Sequence, residues 1–147
     1  MGRRDLVALW FGESDRVTPS FVAGAATRAL AEGRTFYTPN RGVPELRQAI
    51  ATYISTLRGP AIELDRVTVT ASGVNAISLV MQALVDPGDN VVLATPLWPN
   101  AAEAVSMLSG EARRVPLEPG PAGWRLDLDR LFGACDGRTR ALFLNSP

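Results

Sequence analysis

Apolar positions along this chain recur at helical spacing up to about residue 60 and then fall into alternating short runs and helical stripes. Phe21, Val22, Ala25, Ala26, Ala29 and Leu30 sit three and four residues apart, which predicts an amphipathic helix. Thr18-Pro19 reads as its N-cap and first helical position, and Gly33 as its stop. Pro44 opens a second predicted helix, with Leu46, Ile50, Tyr53, Ile54 and Leu57 on one face and Gly59-Pro60 at its end. The residues between, RTFYTPNRG, carry the Thr, Pro, Asn and Gly of a loop.

Beyond residue 60 the pattern predicts strands at Arg66–Thr70, Asn90–Thr95, about Ala112–Leu117 and Arg140–Asn145. Ile77, Val80, Met81 and Leu84 give a helix after the first of these, ended by the turn DPGD. Ala101, Ala104, Val105 and Leu108 give another, stopped by Gly110, and a short helix starts near Asp127. The Pro/Gly-rich EPGPAG reads as a loop. Strands separated mostly by helices predict an α/β fold with a mostly parallel sheet and flanking helices. The last predicted strand ends at Asn145, two residues before the chain does, and the ending reads as a cut.

Composition narrows the function classes. With 147 residues, 46% hydrophobic and 20% charged, the chain is that of a folded domain. Fifteen basic residues balance fifteen acidic ones without a basic run, so nothing points to nucleic acid. No apolar run approaches about 18 residues, and LVALWFG lacks a cleavage site behind it, so neither a membrane span nor a signal peptide is expected. A single cysteine, Cys135, excludes an internal disulfide, and a cytoplasmic setting is expected. All fifteen basic residues are arginine, and histidine is absent, so the side chains offer neither a lysine amine nor an imidazole base.

Two positions carry candidate chemistry. At the junction of the first predicted strand with its helix, TASGVNAI places Ser72, Gly73 and Val74 where backbone N–H groups and the helix dipole favour a phosphate. A serine there is equally an ordinary N-cap. After the next predicted strand, TPLWPN puts Trp98 at a strand's carboxyl end, where an indole can stack on a flat ring; the alternative is a core tryptophan between two prolines.

With these residues in view, the chain resembles the N-terminal part of fold-type I, class I/II aminotransferases that use pyridoxal 5'-phosphate. WFGESDRVTP is similar to the family's opening G-E-P-D…T-P, and YTPNRGVPELRQAIA to Y-x-x-x-x-G-x-x-E-L-R-x-A-I-A. VTVTASGVNAI resembles the phosphate turn, VDPGDNVVLATPLWPN the stretch ending in the ring-stacking aromatic, and LFLNSP the approach to N-P-T-G. Three positions depart from the pattern: Ser14 replaces a usual proline, Val74 lacks a hydroxyl or amine, and Ala101 replaces a frequent histidine.

The resemblance implies that Ser72, Gly73 and Val74 hold the cofactor phosphate and that Trp98 lies over the pyridine ring and lines the substrate side. It implies that the main chain of Gly12 meets the substrate. Tyr37 matches a tyrosine that reaches the phosphate of the neighbouring subunit in a homodimer, whereas the residues alone suggest packing on Pro39. Arg47 matches a helical arginine, for which a solvated charge is the plain reading. Residues 1–33 are then an arm and first helix, and 34–147 part of the cofactor-binding large domain. The implied reaction moves an amino group between an amino acid and a 2-oxo acid. The lysine that anchors the cofactor falls after N-P-T-G in the family, so this chain is expected to be inactive alone. A carbon–sulfur lyase of the same fold and an aminotransferase-like sensor domain of a transcription regulator are the alternatives.

Overall fold

The computed structural model describes residues 7, 12–121 and 123–145. It divides into two compact units, Met1–Pro39 and Asn40–Pro147. In the first, helix α1 spans Ser20–Ala31. Pro19, not Thr18, occupies the N-cap, and no side chain caps the helix there. Its end is closed by Gly33 at φ +73°, a left-handed position that suits glycine, and by the Arg34 N–H donating to Ala29 O.

In the second unit, α2 spans Pro44–Arg58, with proline in its first turn and Gly59 at φ +87° closing it. A single 3-10 turn, Leu64–Arg66, follows. Then come α3 (Gly73–Leu84), β1 (Asn90–Thr95), α4 (Asn100–Met107), β2 (Glu111–Pro116), a hairpin of β3 (Glu118–Gly120) and β4 (Gly123–Arg125), α5 (Leu128–Gly133) and β5 (Thr139–Phe143). The main sheet has the order β2-β1-β5, with both pairings parallel.

Strand β1 is the centre of this unit. Val91, Val92 and Leu93 are fully buried, and each contributes about 2 kcal/mol by leaving water. Its period of two sends Val91 and Leu93 to one face, where Met81 and Val85 from α3 and its exit join Ala101 and Val105 from α4. Val92 faces the other way, against Val115 and Leu131 of α5. Helices therefore cover both faces, as the α/β reading requires.

Two expectations are modified. Arg66–Thr70, for which the resemblance implies a strand set apart from the next three, begins in the 3-10 turn, is extended and buried at Val67, and pairs with no strand among the described residues. Its β-branched residues favour extension, and pairing needs a neighbour that the three-stranded sheet does not supply. The predicted loop EPGPAG is instead built into an antiparallel hairpin, with Glu118 opposite Arg125 and Pro119 opposite Trp124. Gly123 at φ +112° lets the chain reverse there.

The amino ends of the three strands are tied by polar side chains. Asn90, 1% exposed, donates through Nδ2 to Asp136 (2.8 Å) and accepts from the Thr139 hydroxyl (2.7 Å). Arg113 bridges Asp136 (2.8 Å) and Glu111 (2.9 Å), and Arg140 donates to Asp89 (2.8 Å). The Asn90 amide, the Arg138 N–H and Arg113 together hold the Asp136 carboxyl down to about 2. Arg140 and the Asp86 N–H lower Asp89 in the same way.

Candidate anion-binding turn and aromatic platform

Ser72 is extended at φ −162° and caps α3, its Oγ accepting from the Asn75 N–H at 3.1 Å. The capping role foreseen for this serine is present, and it leaves the hydroxyl proton to donate elsewhere. Gly73 and Val74 occupy the first helical positions, where N–H groups have no intrahelical partner. Among the described residues neither N–H meets an acceptor. Open space surrounds the position a Cβ would take at Gly73, so an anion can approach the backbone closely. Three donors with the helix dipole behind them suit a phosphate group.

The segment leading into this turn is fastened to the preceding loop and helix. Arg47 donates through Nε to Val67 O (2.9 Å) and through Nη2 to Leu64 O. Arg41 donates to Asp65 O and to the Thr68 hydroxyl, and its own carbonyl accepts from the Val69 N–H at 3.0 Å. Gly42, at φ +94°, sits so close to Val69 that a Cβ would come within 2.7 Å of it. Arg47 is thus no solvated charge: half-buried, it holds the 64–67 segment where sheet pairing is absent. This role was hidden in the sequence because its partners are backbone carbonyls some twenty residues away.

Trp98 follows β1 by three residues and is 62% exposed, which rules out the core position. The Thr95-Pro96 peptide before it is cis. Helices α3 and α4 pack against each other, and the residues that meet along them advance in step, so the two run in the same direction. Val74 of the first turn of α3 and Pro99 and Asn100 at the start of α4 line one depression of about 250 Å³, together with Ser78 and Ala104 further along. Farther down, Ser78 and Gln82 meet Ala104 and Leu108. The first turn of α3 and Trp98 consequently lie at the same end of the unit, beyond the carboxyl end of β1. A larger cavity of about 460 Å³ lies along α2, and none of its lining side chains is titratable.

Gly12 and Tyr37 belong to the first unit. Gly12 is exposed with nothing near its would-be Cβ. Tyr37 is fully exposed, so it does not pack on Pro39. Trp10 and Phe11 of the opening motif, and Ser146 and Pro147 of the last one, lie outside the described residues.

The family model for aminotransferase class I and II matches residues 5–147. The chain belongs to that family. It is 41% identical over 143 residues to the aspartate/prephenate aminotransferase of Thermus thermophilus, covering 97% of this chain and 37% of that one. It is 35% identical over 144 residues to an aspartate aminotransferase of Rhizobium meliloti, covering 98% and 35%. The chain thus spans about a third of the length of these relatives. Among solved structures, N-succinyldiaminopimelate aminotransferase from Mycobacterium tuberculosis superposes with a TM-score of 0.88 at 36% identity, over 93% of this chain and 36% of that one. Aspartate aminotransferase from Thermus thermophilus with maleate gives 0.88 at 40% identity, over 97% and 37%. The α/β fold, with its parallel sheet and flanking helices, is that of the aminotransferase structures. Among the described residues, no helix is long and apolar enough to cross a membrane.

Proposed function

We propose that this chain forms the phosphate-holding part of a pyridoxal 5'-phosphate aminotransferase. The carrying observation is the N–H pair of Gly73 and Val74, which meets no acceptor among the described residues, at the same end of the unit as the exposed Trp98. In this reading the two N–H groups and the Ser72 hydroxyl bind the phosphate, and the indole lies against the pyridine ring. When bound, the cofactor supplies an aldehyde that takes up the substrate's amino group and a ring that accepts electrons from its α-carbon. The main chain of Gly12 faces the substrate, and Tyr37 reaches the phosphate of a second subunit in a homodimer; its complete exposure supports this. The whole protein would exchange an amino group between an amino acid and a 2-oxo acid in the cytoplasm. The names of the relatives favour aspartate as the first amino acid to try.

The chain's own residues bind and orient but do not complete the reaction. Its side chains include no lysine, so no side-chain amine can anchor the cofactor or move the substrate's proton. We therefore expect this chain alone to bind pyridoxal phosphate weakly and without a covalent link. Borohydride treatment of the mixture followed by peptide mapping should find no side-chain adduct, and Trp98→Ala should weaken equilibrium binding by roughly two- to tenfold. Unchanged affinity in that variant would remove the aromatic platform from the reading.

A further inference from the structure

We infer that Thr70 is a positioning residue of the anion turn, acting through the Ser72–Gly73 peptide; this rests on the phosphate reading above. The Thr70 hydroxyl donates to the Ser72 carbonyl oxygen at 2.9 Å. The same oxygen accepts the Ala76 N–H at 3.0 Å, the first bond of α3. In a trans peptide the carbonyl and the next N–H point in opposite directions. Two donors on the Ser72 oxygen therefore fix the plane of the peptide and aim the Gly73 N–H out of the helix end, toward the anion.

The second donor is needed because little else steadies this turn from upstream. The 67–70 segment pairs with no strand among the described residues, and its last fastening to the preceding loop is the Val69 N–H to Arg41 O. Without the Thr70 hydroxyl, the Ser72–Gly73 peptide at the start of α3 keeps only bonds from inside the helix, the Ala76 N–H on its oxygen and the Ser72 cap on Asn75, at a terminus where helices fray. The anion must then meet the cost of ordering the turn. Thr70 acts in this arrangement through the Ser72 oxygen, so its removal lowers affinity for the phosphate group whatever the rest of the ligand is.

The test is equilibrium binding of pyridoxal 5'-phosphate and of inorganic phosphate to the full chain, with thermal midpoints measured in parallel. Thr70→Val and Thr70→Ala, which lack the hydroxyl but differ in bulk, should each weaken both ligands by roughly three- to tenfold. Thr70→Ser, which keeps the donor, should stay within about twofold of the unmodified chain. Equal affinity in the folded hydroxyl-free variants, or equal loss in the serine variant, overturns the inference while leaving the phosphate site standing. If the unmodified chain binds neither ligand, the phosphate reading falls and this inference with it.

Discussion

Gly42 shows how one residue can hold a site it does not touch. Its φ of +94° is a conformation that side chains rarely adopt, and Val69 stands where a Cβ would project. Gly42→Ala combines backbone strain with a clash against the segment that leads into the anion turn. We expect it to lower unfolding stability by about 1–3 kcal/mol, measured by urea titration. A loss of a few tenths would mean that Val69 moves aside freely. The capping role of Ser72 was legible in the sequence, since a serine opening an apolar helix after a β-branched run is an ordinary N-cap. Arg47 was the least legible, because a helical arginine shows no sign of the distant carbonyls it will meet.

At the scale of elements, the three parallel strands share a polar lock at their amino ends, built on buried Asn90. Asp136 titrates at about 2 in the folded chain, held down first by the Asn90 amide, then by the Arg138 N–H and Arg113. Its unfolded value is near the ordinary carboxylate value of about 3.9. The folded value is the lower, so the charged form favours folding, fully above the unfolded value. That contribution is lost as pH falls from about 4 to 2, and Asp89, also lowered, adds to the loss as pH falls below its unfolded value. Urea midpoints should therefore drop between pH 5 and pH 2, and Asp136→Asn should flatten the slope. An equal slope in that variant would place the acid sensitivity elsewhere.

Elements were legible where one local signal dominated. Pro44 and Gly59 bracket α2 at the ends the structure shows, and the unbroken apolar run at 90–95 is the buried central strand. Arg66–Thr70 carries equally good strand residues, but ladder formation depends on a neighbour, and local sequence does not encode neighbours. The hairpin at 118–125 was missed for the opposite reason. Pro119 and Gly120 are loop residues by composition, yet a two-stranded pair with an exposed edge tolerates both.

For the whole molecule, the sheet and its helices gather two separate sequence motifs at one end, as the alternation of strand and helix patterns led one to expect. The turn at Ser72–Val74 and the indole of Trp98 are over twenty residues apart, yet the first turns of α3 and α4 line one depression. A site for an aromatic phosphate follows from that meeting rather than from either motif. The most direct measurement is a nuclear magnetic resonance titration of the nitrogen-15-labelled chain with pyridoxal 5'-phosphate, and with pyridoxal as the phosphate-free comparison. The phosphate ester should shift the Gly73 and Val74 amides and the Trp98 indole together, along one saturation curve, and pyridoxal should leave the two amides unmoved. Shifts confined to the tryptophan, or amide shifts of equal size with pyridoxal, would contradict the phosphate reading.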